Sequence, residues 1–170
     1  MLWHWRNDPA TLAGSRSSTE VLWEDHLRWL TSSLTRTDQM VLMVEDPNGP
    51  VGTVRWDLDR EADREPGPGQ DWEVSITVAP QRRGQALARP LLRVAEVALS
   101  DALAEHTSER TTGDSPEATL AGWGNLTAFL AIVNIANESS MRLFETSAYL
   151  PDLPPDPQGF MRFRKPARVA

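Results

Sequence analysis

Gln81-Arg82-Arg83-Gly84-Gln85-Ala86 sets two guanidinium groups and a glycine where one pattern of residues stops and another begins. The chemistry that suits such a segment is the holding of phosphate. The first N–H groups of a helix have no intrahelical partners and carry the positive end of its dipole. A glycine lets the backbone approach closely, and an arginine fork matches phosphate oxygens. The plainer alternative is a strand–loop–helix connection with solvated arginines. Other chemistries are narrowed by composition. No cysteine occurs, which excludes disulfides, thiolate metal sites and a thiol nucleophile. His4, His26 and His106 lie far apart without ligand spacing, so no metal is expected.

The flanking elements must position that loop. Val74-Ser75-Ile76-Thr77-Val78 alternates apolar and polar and reads as the end of a strand over 72–78, stopped at Pro80. Residues 86–104 read as a long helix with a stripe of Leu87, Leu91, Leu92, Ala95 and Leu99. Pro90 is tolerated there only near the start. Residues 1–36 read as helical, interrupted by the turn Arg6-Asn7-Asp8-Pro9, with a second helix capped at Thr19. Strands over 39–45 and 51–58 flank the turn Asp46-Pro47-Asn48-Gly49-Pro50 and form a hairpin. Residues 60–70 and 106–124 read as loops, the second with a short helix at 116–121. A buried strand over 126–135, a helix over 137–147, a proline-rich loop over 151–158 and a last strand over 159–164 complete the chain. Tyr149 opens an extended piece before that loop. This order predicts a mixed α/β sheet with helices on both faces.

The length of 170 residues suits one domain spanning 1–170. A net charge of −7 argues against nucleic acid and anionic membrane as partners. No apolar run reaches the roughly 18 residues of a membrane span. The start lacks a secretory pattern, so a cytoplasmic location is expected.

The 81–86 segment matches the pyrophosphate-loop pattern Gln/Arg-x-x-Gly-x-Gly/Ala. Further on, Asn137-Glu138-Ser139-Ser140-Met141-Arg142-Leu143-Phe144 and Ala148-Tyr149 match Asn-x-x-Ser-x-x-Leu-Phe/Tyr followed by Gly-Phe. With these two segments the chain resembles the GNAT acyltransferase superfamily, which binds acetyl-coenzyme A. The resemblance runs over about residues 39–164. It implies a GNAT-like fold: a mostly antiparallel sheet splayed between two central strands. It implies N-acetyl transfer from acetyl-CoA to a primary amine by direct attack in a ternary complex.

The resemblance also assigns residues. Ile76, Thr77 and Val78 would run along the pantetheine arm. Gln81, Arg82, Arg83, Gly84, Gln85, Ala86 and Leu87 would enclose the diphosphate. Asn137 and Ser140 would approach the cofactor; capping and plain helix surface are their alternatives. Glu73 would take the proton from the amine. A tyrosine is common where this chain has Phe144, so the proton for the leaving thiolate falls to Tyr149, Ser140, Ser147 or water. Ala86 and Ala148 stand where glycines are usual. Trp5-Arg6-Asn7-Asp8 and His26-Leu27-Arg28-Trp29 resemble the opening of members that acetylate nucleotide-linked amino sugars. Trp5, Arg6 and Asn7 would then bind substrate; packing of the tryptophans is the alternative. A protein N-terminal or ribosomal-protein acetyltransferase and a silent CoA-binding regulatory module are the other readings. The family starts with a strand, whereas Met1 falls almost on a helix. An exposed sheet edge would permit a homodimer.

Overall fold

The computed structural model describes residues 1–59, 69–112 and 125–167. Three short helices open the chain: α1 (Leu2–Arg6), α2 (Pro9–Ala13) and α3 (Trp23–Ser33). Then follow β1 (Gln39–Asp46), β2 (Gly49–Leu58), β3 (Gly69–Val78), a 3₁₀ turn over Pro80–Arg82, α4 (Ala88–Thr112), β4 (Asn125–Asn134), α5 (Glu138–Thr146), β5 (Leu150–Leu153) and β6 (Phe160–Pro166). The six strands form one sheet in the order β1-β2-β3-β4-β6-β5. Only the β3–β4 pair is parallel. Among the described residues no helix is long and apolar enough to cross a membrane.

Register decides what each face of the sheet carries. Trp56, Val74, Ala131 and Phe163 are successive cross-strand partners and share one face. Leu91, Leu92 and Leu99 of α4 pack there, against the fully buried Trp56 and Trp72. Each such leucine contributes about 1.5–3 kcal/mol by leaving water. Asp57, Glu73, Leu130 and Arg164 form the matching row on the opposite face. Residues from α1, α2 and α3 share a cleft with that face. Gly52 is required by packing, since a Cβ there would lie 2.3 Å from the Thr77 carbonyl oxygen.

The sheet parts on the C-terminal side of its middle. Pairing of β2 with β3 continues to Gly52–Val78, but pairing of β3 with β4 stops at Val74–Ala131. Beyond that point β4 pairs only with β6. The Ala79 N–H donates to the Val51 carbonyl oxygen at 2.9 Å. Strand alternation then turns the peptide groups of Ser75 and Thr77 toward β2 and those of Ile76 and Val78 into the gap.

Several boundaries differ from the sequence reading. The second helix does not start at a Thr19 cap. It starts at Trp23, behind Leu22 in extended conformation. The cause is a clamp on Val21, whose N–H donates to Asn7 Oδ1 at 2.9 Å. Its carbonyl oxygen accepts from Asn7 Nδ2 at 2.8 Å and Trp3 Nε1 at 2.7 Å. Holding Val21 this way keeps the chain extended up to α3. Helix α4 continues through residues 106–112, which the sequence reading gave to a loop. Of the loop expected over 60–70, residues 60–68 lie outside the described residues and the last two belong to β3, which starts at Gly69; the short helix expected at 116–121 lies outside the described residues. The proline-rich loop expected over 151–158 gives its first residues to β5, an edge strand, the place in a sheet where proline is tolerated.

The end of α5 is a Schellman turn. The Tyr149 N–H donates to the Phe144 carbonyl oxygen at 3.0 Å and the Ala148 N–H to that of Glu145 at 3.3 Å. Ala148, at φ 66°, takes the left-handed position that glycine usually fills. The Phe144 and Tyr149 rings meet at 5.0 Å, the apolar contact that accompanies this motif.

Candidate active site

The loop after β3 offers free donors. The Arg82 and Arg83 N–H groups are engaged within the 3₁₀ turn, bonding the carbonyl oxygens of Ala79 and Pro80. From Gly84 to Leu87 no peptide N–H has a protein acceptor among the described residues. Gly84 at φ 75° and Ala86 at φ 56° both lie in the left-handed region. Such a run of reversed curvature turns successive N–H groups toward one point and makes an anion nest. A Cβ added to Gly84 would meet nothing within 4 Å, so the space before it is open. Asn137 caps α5 through Oδ1, which accepts from the Ser140 N–H at 3.1 Å and the Ser139 hydroxyl at 3.0 Å. Its Nδ2 remains for another partner and stands beside Gly14 at the end of α2.

One cleft of about 1040 Å³ joins this nest to the parted strands and to the helical cover. Ile76, Thr77, Val78, Arg82, Arg83, Gly84, Ala86, Leu87, Asn137 and Ser140 line one end. Trp5, Arg6, Arg16, His26, Trp29, Arg55 and Glu73 line the other. Glu73 bonds Arg16 at 2.8 Å. Burial raises its pKa above the ordinary value against the opposing pull of Arg16, and Asp57 and Asp59 add to the rise. Asp57 is its direct cross-strand neighbour. Burial lowers the pKa of His26, which packs between the Trp23 and Trp29 rings.

No protein-family profile and no curated protein matches the chain. Solved structures do. Spermidine N-acetyltransferase from Vibrio cholerae, crystallised with CoA and spermine, superposes with a TM-score of 0.68 at 14% identity, covering 96% of this chain and 85% of that one. Ribosomal-protein-alanine N-acetyltransferase from Brucella melitensis gives 0.59 at 20% identity, over 98% and 92% of the two chains. The N-acetyltransferase PseH of Campylobacter jejuni, in complex with acetyl coenzyme A, gives 0.57 at 13% identity over 86% and 80%. The fold is the GNAT acyltransferase fold. Within this GNAT fold the loop, the gap and the α5 cap occupy one cleft.

Several candidate residues fall elsewhere. Tyr149 is 1% exposed, outside the cleft, and its hydroxyl donates to Glu96 Oε1 at 2.8 Å. Burial and the Glu96 carboxylate push its pKa far up, and its hydroxyl serves Glu96 rather than facing the cleft. Asn7 is also withdrawn, because its amide is consumed by the Val21 clamp. Gln81 and Gln85 do not line the cleft; Gln85 instead bonds Arg82 Nε and the Gln81 carbonyl oxygen. The Arg82 guanidinium is spent on Asp46, through bonds of 2.5 and 3.1 Å that tie the loop to the β1–β2 hairpin. The Arg83 guanidinium bridges to Asp8 at 2.6 Å and Thr11 at 2.8 Å, fastening the loop to α2. Free donors for an anion are therefore backbone groups first and arginines second. The sequence reading missed Arg16 and Arg55. Alternation along β2 puts Arg55 on the face of Asp57, a usable signal. Arg16 lies 57 residues from Glu73 and had none.

Proposed function

We propose that this protein is an N-acetyltransferase that moves an acetyl group from acetyl-CoA to the primary amine of a small molecule, with a nucleotide-linked amino sugar among the acceptors. The observation that carries the reading is the single cleft joining the free N–H run of Gly84–Leu87, the gap beyond Val74 and the half-buried Glu73. The open space at Gly84 and the unpaired edge of β3 suit a diphosphate followed by an amide-bearing arm. Acetyl-CoA, when bound, supplies a thioester. The peptide groups of Ile76 and Val78 would pair with its arm, and Asn137 Nδ2 and Ser140 would border it. The Glu73 carboxylate, made a stronger base by burial, would accept the proton that an ammonium acceptor must lose before it attacks. The proton for the departing sulfur would come from Ser140 or water, because Phe144 has none to give. We place the reaction in the cytoplasm. A second copy pairing along the open edge of β1 is the geometric route to a homodimer.

An acceptor end lined by Trp5, His26 and Trp29 supports a small acceptor over a protein chain. Phe144 supports one further reading, a CoA-binding module without turnover. Thiol release from acetyl-CoA across a panel of amines separates the two. The chain has no cysteine, so any thiol formed belongs to the cofactor. CoA binding without thiol release from any amine would leave the silent module.

A further inference from the structure

The acceptor end of the cleft has a cation without a counter-ion. Arg16 is matched by Glu73 at 2.8 Å and Arg55 by Asp57 at 2.7 Å. Arg6 has no carboxylate partner among the described residues. Its Nη2 donates to the Ser17 carbonyl oxygen at 3.0 Å, while its Nη1 is buried without a hydrogen-bond partner. Arg6 and Arg55 both line this end of the cleft; partial burial lowers the Arg6 pKa and the Arg55 guanidinium lowers it further, so two like charges share the cleft. A guanidinium without a carboxylate partner beside a second guanidinium favours an anion in the cleft they share. Burial lowers the His26 pKa, which disfavours a third positive charge beside the pair.

We propose that Arg6 is a specificity-determining residue that binds an anionic group, phosphate or carboxylate, carried by the acceptor amine. This rests on the acetyl-transfer reading and narrows it. The amine approaches Glu73 while the acceptor's anion meets the part of Arg6 that lines the cleft, with Arg55 reinforcing the field. Trp5, the neighbour of Arg6 on α1, supplies an apolar wall for the body of the acceptor. A polyamine such as spermidine brings a second cation to the place where Arg6 already stands, and is rejected there.

Calorimetry on the CoA-saturated protein tests this with four amines: glucosamine, glucosamine 6-phosphate, muramic acid and uridine diphosphate-glucosamine. Saturating CoA keeps the Gly84–Leu87 nest from capturing the anion. In the wild type at least one anionic amine binds about 10-fold or more tightly than glucosamine, the size of a charge-assisted bond. The preferred anion tells phosphate from carboxylate. In Arg6→Gln that advantage falls below about twofold, with CoA affinity and glucosamine affinity unchanged. Arg6→Lys keeps the charge without the fork, and retains part of the preference. Equal binding of all four amines to the wild type would overturn the subsite alone, as would an undiminished preference in both variants. Absence of CoA binding would overturn the acetyl-transfer reading and this inference with it.

Discussion

Replacing Ala148 by glycine is expected to make the protein more stable. Ala148 is exposed at φ 66°, so its methyl group packs against little and its backbone is held where an L residue is strained. The left-handed conformation costs such a residue about 1–2 kcal/mol. Glycine removes that strain but adds about 0.4–1 kcal/mol of unfolded-chain entropy. The net gain is about 0.5–1 kcal/mol, and a chain of this size converts it to about 1–4 °C in Tm. Ala86, exposed at φ 56°, should give the same sign, and the two gains should add because the sites share no partner. Gly159→Ala is the reverse test. Its φ is 83° and its new Cβ would meet Ile135 at an ordinary 3.7 Å, so backbone strain alone should lower Tm by a similar amount. Thermal unfolding followed by circular dichroism reads all of these. A lower Tm in Ala148→Gly together with a neutral Gly159→Ala would refute the strain argument.

Gly84→Trp should abolish CoA binding by calorimetry while the fold persists, since the indole would stand in open space before the nest. Retained affinity would remove the loop from the site. Glu73→Gln should lower kcat/KM and remove its acidic limb, which in the wild type lies above the ordinary carboxylate pKa of about 4.3. A wild-type pH profile in that variant would exclude Glu73 as the base. The same substitution should raise stability. A carboxyl whose pKa is raised by folding is more protonated in the folded chain, so its ionisation opposes folding as pH rises. The gain should be present at neutral pH and disappear as the pH falls below the unfolded value, as denaturant titrations at several pH values would show. Tyr149→Phe should leave turnover intact and cost about 1–3 kcal/mol, because Glu96 loses a buried donor. Loss of turnover at unchanged stability would restore Tyr149 as the acid.

What the sequence made legible was local. Alternation in Val74–Val78, the glycine after two arginines and the Asn137 cap are short-range patterns, and each element stands within a few residues of its expected place. The departures at Ala86 and Ala148 were visible too, though only the backbone showed that both sit at positive φ. What the sequence did not show was partners distant along the chain. Tyr149 looked available until Glu96, 53 residues away, proved to hold its hydroxyl. Arg83 looked free to grip phosphate, yet Asp8 lies 75 residues upstream in sequence and beside it in space. Asn7 looked like a ligand for substrate and serves the backbone of Val21 instead. Side-chain pairing across a folded sheet leaves no period or spacing to read.

Lys165 is the chain's single lysine, and its Nζ lies 2.6 Å from Glu96 Oε2, over the rings of Phe129 and Tyr149. An ammonium so paired is a poor nucleophile. The polypeptide thus offers reactive acyl donors no free lysine side chain, which keeps self-modification low during long incubations.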